Sequence, residues 1–213
     1  MKALVTGGDG GLGRAMRARL EREGYEVESL DLTNGFDVTD PAAWERVEPV
    51  DLACLNAGIL TAVTDLTKLS YDDYRQAVSV NVDGVVLGVR ELAARLMPAG
   101  GSIVVTASLA GLDSAALDPV YALTKAGVVG FVRSVAPQLA AKGIRINAIC
   151  PAFTDTPLVV DELRGLLPVP LIEPSFVAEA ALRALDDEET GRAWVVQRGR
   201  IEPFRYPGVP GPR

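Results

Sequence analysis

The chain of 213 residues is 48% hydrophobic and 23% charged, with a formal net charge of −7. That size suits one domain, residues 1–213, with a sizeable core, and the excess of acid over base argues against nucleic acid as a partner. With no histidine and only two cysteines, a zinc site of the usual kind and any histidine-based catalytic triad are excluded, so no metal is expected.

The apolar runs are strand-sized, well below the ~18 residues needed to cross a bilayer, so no membrane partner is expected. A strand begins almost at Met1 and leaves no room for a signal peptide. Cys54 and Cys150 lie in apolar, strand-like segments and read as buried thiols in a reducing cytosol. The expected location is therefore cytoplasmic.

In chain order, Lys2-Ala3-Leu4-Val5-Thr6 reads as a strand buried on both faces. It runs into Thr6-Gly7-Gly8-Asp9-Gly10-Gly11-Leu12-Gly13 and then a helix over residues 14–22, with Gly24 as its C-cap. Glycines permit the tight turn and close backbone approach, and the open N–H groups of a helix start attract a pyrophosphate. Thr6, Gly7, Asp9, Gly11, Leu12 and Gly13 are the candidate cofactor-binding residues of this turn. A second strand, residues 25–30, ends at Asp31. That acid lies close to the ~20 residues past the last glycine expected of a carboxylate that grips an adenosine ribose. It would repel a 2′-phosphate, so the choice leans to NAD over NADP. Further on, Leu52-Ala53-Cys54-Leu55 leads to Asn56-Ala57-Gly58. A long helix spans residues 70–97, and the strand 102–106 leads to Ser108.

Tyr121 and Lys125 stand one turn apart on the next helix, residues 119–141, and so share a face. An adjacent ammonium favours the phenolate and would pull the phenol from its usual ~10 toward neutrality, as a general acid/base requires. Ser108 is positioned to hold a substrate oxygen beside it.

Together these motifs resemble the short-chain dehydrogenase/reductase family. The spacing of Thr6, Gly7, Gly11 and Gly13 is similar to its Thr-Gly-x-x-x-Gly-x-Gly turn, and Asn56-Ala57-Gly58 to its Asn-Ala-Gly turn over the cofactor. Asn81 resembles the asparagine that bends the long fourth helix and holds a proton-relay water. Ser108, Tyr121 and Lys125 match the catalytic spacing. Asp37 and Val38 match the pair bordering the adenine. Pro151 and Thr156 match a Pro-Gly-x-x-x-Thr element at the nicotinamide, with Ala152 replacing its glycine. The resemblance covers residues 2 to about 191.

It implies a doubly wound, Rossmann-like α/β sheet and an NAD-dependent enzyme interconverting a secondary alcohol and a ketone. Ser108, Tyr121, Lys125 and Asn81 would be its catalytic residues, and a homodimer or homotetramer its assembly. Tyr121 and Lys125 would also contact the cofactor. An NADP-dependent carbonyl reductase and a non-catalytic dinucleotide sensor or scaffold are the alternatives.

Departures from the family pattern are also expected. Only Leu32-Thr33-Asn34-Gly35-Phe36 separates Asp31 from Asp37, too few for the ~10–12 residues of a parallel crossover. The second crossover helix is therefore missing, and the third strand, around Phe36-Asp37-Val38, is vestigial. A short helix starts from a cap at Asp40 with Pro41 at its first position. Residues 157–175 suggest a small apolar lid carrying Asp161, Glu162 and Arg164. The proline-rich tail, residues 203–213, is expected as a loose end or a crossing onto a partner. Val128, Val129, Phe131 and Val132 suggest a dimer face on the Tyr121 helix, which also carries an internal proline, Pro137.

Overall fold

The computed structural model describes residues 1–159 and 170–207. It is a seven-stranded sheet in the order β2-β1-β3-β4-β5-β6-β7. The strands are β1 (Lys2–Thr6), β2 (Glu26–Leu30), β3 (Leu52–Leu55), β4 (Gly101–Thr106), β5 (Ile144–Pro151), β6 (Ala193–Gln197) and β7 (Arg200–Pro203). All neighbours pair in parallel except β6 and β7.

The parallel strands are short apolar runs because helices cover both faces. On one face α1 (Gly11–Arg22) packs beside α6 (Pro174–Asp186), burying Met16, Leu20, Val177, Ala181 and Leu185 against Val5, Cys54, Val104 and Ile149. The other face is covered by α2 (Pro41–Trp44), α3 (Tyr71–Val78), α4 (Gly84–Glu91) and α5 (Pro119–Ala140). Leu92, Val128, Val132 and Leu139 meet Leu4, Leu55, Ile103 and Ile146 there.

The long helix expected over residues 70–97 is interrupted by two wide π turns, Ser79–Asp83 and Leu92–Leu96. Asn81 sits fully buried in the first of these. Of the side chains expected to form a dimer face on α5, Val128, Val129 and Val132 are buried in the core and Phe131 is half-buried against it. The helical period turns them onto the sheet.

Residues 36–38 form no strand, so β2 is the edge of the sheet. The expected crossover helix is indeed missing, replaced by the 3-10 turn Leu32–Asn34, capped by Asp31 and closed by Gly35 in the left-handed region. Phe36 and Trp44 pack edge to face at 5.1 Å. The indole N–H of Trp44 donates to the Val38 carbonyl at 3.0 Å. This plug needs two glycines on α4. A Cβ on Gly84 would come within 2.7 Å of Val38, and one on Gly88 within 2.9 Å of Trp44. A few buried rings thus fill the space that a strand and helix would otherwise occupy.

The tail differs more sharply. Arg198 and Gly199 form a two-residue turn, with Gly199 at φ 74°, that folds Arg200–Pro203 back along β6 as an antiparallel edge. Proline is tolerated here because it ends an edge strand. Phe204 N–H donates to the Ala193 carbonyl at 2.7 Å, and the Arg133 guanidinium lies 3.6 Å over the Tyr206 ring. The chain is therefore docked on its own domain as far as residue 207. The rest of the expected tail, and Asp161, Glu162 and Arg164 of the expected lid, lie outside the described residues. The described ends of the lid are stapled by Ile172, which donates to Phe153 O and accepts from Asp155 N, each at 2.9 Å.

Because Trp44 is fully buried, Trp44→Ala should lower unfolding stability by about 3–5 kcal/mol, read by urea denaturation. A loss below about 1 kcal/mol would show that the plug is dispensable.

Candidate active site

Ligands of doubly wound sheets bind beyond the carboxyl ends of the strands, and a cleft of about 1390 Å³ opens there. Its nucleotide end is built from the turn after β1. Gly7 has φ 61°, and a Cβ on Gly13 would lie 2.0 Å from the Gly7 carbonyl, so no other residue closes this turn. Gly10 precedes α1 without any side-chain cap. The first-turn N–H groups are therefore left open at the positive end of the helix, a seat for phosphate. Thr6 does not face the cleft; its hydroxyl accepts from Asn56 N at 2.9 Å and Ala57 N at 3.1 Å. Asn56 in turn donates to Thr6 O and Gly7 O and accepts from the Thr106 hydroxyl at 3.1 Å. These two residues tie the ends of β1, β3 and β4 together, while Ala57 and Gly58 line the cleft.

At the far end, Asp31 Oδ1 accepts from Thr33 N at 3.0 Å, and Oδ2 accepts from Asp9 N at 3.1 Å. Acceptor capacity remains on Oδ2. The Asp9 carboxylate accepts from the Thr33 and Ser29 hydroxyls at 2.6 and 2.9 Å and pairs with Arg17 at 2.8 Å. Those two hydroxyls, aided by Arg17 and Arg14, hold Asp9 below the usual carboxylate range. Two acids thus line one stretch of wall. Asp37 accepts from Thr39 N and its hydroxyl, each at 2.8 Å, and borders the cleft with Val38.

At the other end, Ser108, Tyr121 and Lys125 line the same cleft. Lys125 is buried, and its Nζ donates to the Thr106 carbonyl at 2.8 Å while lying 5.5 Å from the Tyr121 ring centroid. Gly111 lets the loop after Ser108 press onto α5, since a Cβ there would come within 2.7 Å of the Lys125 carbonyl. The Asn81 side chain makes three hydrogen bonds. It donates to Ile59 O at 2.9 Å and Thr124 Oγ1 at 3.0 Å, and accepts from Ile59 N at 2.8 Å. Pro151 and Thr156 complete the lining. Thr156 leans on the glycine turn, with its Cβ only 2.7 Å from where a Cβ on Gly11 would stand. The open helix start, the glycine cradle and the continuous lining from Asp31 to Tyr121 fit a dinucleotide.

Comparison with known proteins agrees. A family model described as Enoyl-(Acyl carrier protein) reductase matches residues 13–195. The chain is 32% identical to the cyclohexanol dehydrogenase of Acinetobacter sp. (strain SE19), over 91% of this chain and 92% of that protein. It is 30% identical to the 2-dehydro-3-deoxy-L-rhamnonate dehydrogenase (NAD(+)) of Sphingomonas sp. (strain SKA58), over 78% of this chain and 80% of that protein. The solved 3-ketoacyl-(acyl-carrier-protein) reductase from Brucella melitensis, complexed with NADH, superposes with a TM-score of 0.83 at 26% identity. That match covers 93% of this chain and 97% of the other. The chain belongs to the short-chain dehydrogenase/reductase family. It is an oxidoreductase; among its relatives, the rhamnonate dehydrogenase is named for NAD(+) and the Brucella reductase was solved with NADH.

Within this family member the electrostatics differ from the sequence expectation. Burial pushes Tyr121 up to about 12, opposed by its hydrogen bond with Ser108 and assisted by the charge of Asp118. The phenol is therefore not brought toward neutrality. The Lys125 ammonium is itself lowered by burial, from 10.5 to about 8. Desolvation outweighs the neighbouring charge at both groups.

Sequence reasoning missed two parts of the site. The β6–β7 hairpin contributes Val195, Gln197, Arg200, Glu202 and Phe204 to the cleft wall. Period-two alternation would have grouped them had β7 been recognised. The other is Asp118, at the start of α5.

Lys125 also sets a pH dependence. Between about 8 and 10.5 the unfolded chain holds a proton that the folded chain has released, so stability rises with pH. Cys54 and Cys150, raised by burial from 9.0 to about 12, act in the opposite sense above 9, and Tyr121 does so above 10. Urea denaturation should therefore show stability climbing from pH 8 to 9, with the climb absent in Lys125→Met. A climb that survives in the variant assigns it to another group.

Proposed function

We propose that the protein interconverts a secondary alcohol and a ketone with NAD(H). The observation that carries this reading is the convergence of Ser108, Tyr121 and Lys125 on one cleft whose other end holds an open helix start and two acids. Ser108 donates to the substrate oxygen, and Tyr121 gives or takes the proton at that oxygen. Because the phenol is high in the protein alone, it stands protonated at neutral pH, the state that reduction of a ketone requires. The ammonium of Lys125 reaches the ribose of the nicotinamide half. The backbone N–H groups of residues 11–13 hold the pyrophosphate, and Asp31 accepts from the adenosine ribose. A bound nicotinamide supplies the hydride. Positioning and preorganised hydrogen bonds supply the rest of the acceleration.

NAD is favoured over NADP because Asp31 borders the place where a 2′-phosphate would lie. The Asp9 charge is offset by its pair with Arg17 at 2.8 Å, so Asp31 carries the discrimination. The substrate half of the cleft is apolar, with Ile59, Leu60, Leu109, Leu112, Phe153 and Phe204 as walls. Arg200, Glu202 and Arg205 supply a polar rim. That suits a compact hydrocarbon ring with one polar substituent, in keeping with the cyclohexanol dehydrogenase relative. Among the described residues no helix is long and apolar enough to cross a membrane, consistent with a cytoplasmic enzyme. Assembly as a homodimer or homotetramer is proposed through α4 and α5, where Val86 and Leu123 are exposed.

Tyr121→Phe should cut turnover of cyclic alcohols by about 10²–10⁴-fold while leaving NADH binding, followed by cofactor fluorescence, nearly intact. Retained turnover removes Tyr121 from its role. In the same titration NADH should bind more tightly than NADPH, and the reverse order would select the NADP reading.

A further inference from the structure

Asp118 is 7% exposed, and its carboxylate touches no cation among the described residues. It accepts four hydrogen bonds on two fronts. Oδ1 takes the Tyr121 N–H at 2.9 Å and the Thr61 hydroxyl at 2.7 Å. Oδ2 takes the N–H groups of Thr61 at 2.8 Å and Ala62 at 3.0 Å. One side chain therefore caps the helix that carries the phenol and fastens the loop after Asn56-Ala57-Gly58. That loop supplies Ile59, Leu60 and Ala62 to the cleft wall. Ala62 is the one non-glycine residue described with a left-handed backbone, at φ 54°. Such a conformation is strained and persists only where its surroundings impose it. Here the Ala62 N–H is held by Asp118.

We propose that Asp118 is a positioning residue that sets two properties of the site at once, the placement of the substrate-facing loop against Tyr121 and the charge environment of the phenol. The inference rests on the function proposed above, in which Tyr121 moves the proton. The titratable groups that face the phenol are Lys125 on its own helix, Cys150 on β5 and Asp118 at the helix start; Asp118 and Cys150 push it up, and the Ser108 hydroxyl, as hydrogen-bond partner, pulls it down. The Asp118 charge opposes the phenolate, so its removal eases deprotonation. Asparagine keeps one oxygen for the Tyr121 N–H but turns an amide N–H₂ against the donors of Thr61 and Ala62.

Asp118→Asn should therefore raise KM for the alcohol about tenfold, the size of a lost hydrogen bond to a charged group. It should also move the tyrosine limb of the kcat/KM pH profile to lower pH, with NADH affinity unchanged. Thr61→Val removes the hydroxyl bond to Asp118 and the long one accepted from Val63 N while keeping the Asp118 charge, and should raise KM without moving the limb. A residue that merely caps the helix would lose melting temperature alone. An unmoved limb and an unchanged KM in folded Asp118→Asn therefore overturn the proposal. If that variant does not fold, Thr61→Val decides, and an unchanged KM there is equally fatal. If the wild type turns over no alcohol or ketone, the functional reading fails instead. Ultraviolet phenolate absorbance of the NADH complex, differenced against Tyr121→Phe, then still reports whether Asp118→Asn lowers the pH at which Tyr121 ionises. No shift there refutes the charge half.

Discussion

The site depends on an ammonium kept out of water. Lys125 is buried beneath the cleft, and one of its three donors is spent on the Thr106 carbonyl at 2.8 Å. Thr106 ends β4, so this bond fixes the Tyr121 helix relative to the centre of the sheet. Desolvating an ammonium is tolerable only where a strong acceptor compensates it. The carbonyl is available because β4 has run out of partners at that height: its ladder with β5 ends at the Thr106 and Ile149 pair. In the proposed function the remaining donors serve ligand hydroxyls, which would make the lysine a bridge from fold to ligand.

Around that bond, threonines and asparagines act as fasteners. Thr6 and Asn56 lock the mouths of three strands, and Asn81 joins the first π turn to both Ile59 and Thr124. Thr124 donates to the Tyr121 carbonyl at 2.8 Å, so Asn81 and Asp118 grip the same turn of α5 from opposite sides. Buried polar groups with every partner in place specify one arrangement more sharply than apolar contacts can. The wide turn at Ser79–Asp83 is what brings the Asn81 amide to this position, in keeping with the placement of such bulges at functional sites.

Much of this was legible in the sequence because it is local. The glycine turn, the acid closing β2, the Asn56-Ala57-Gly58 turn and the Tyr121/Lys125 pair all depend on residues close together in the chain, with fixed spacing. The missing crossover helix was legible for the same reason, since five residues cannot bridge parallel neighbours. What sequence did not disclose was long-range or energetic. The partner of Lys125 is a carbonyl nineteen residues away, and whether burial or the neighbouring charge prevails at Tyr121 depends on three-dimensional packing. Period 3.6 on α5 marked Val128 and Val132 as apolar without saying which side they face. The prolines of the tail argued against a helix or a central strand, and left unseen that an edge strand needs no donor at its last position.

The loss of a neighbour for β2 leaves a row of main-chain groups that any extended peptide could zip onto. This border is guarded. Glu26 and Glu28 are exposed along it, so a second copy approaching edge to edge would meet like charge at every other residue. The Asn34 amide folds back to donate to the Ser29 carbonyl at 2.7 Å, occupying one acceptor at the cofactor end. The same short turn that trimmed the sheet also protects it against runaway self-association.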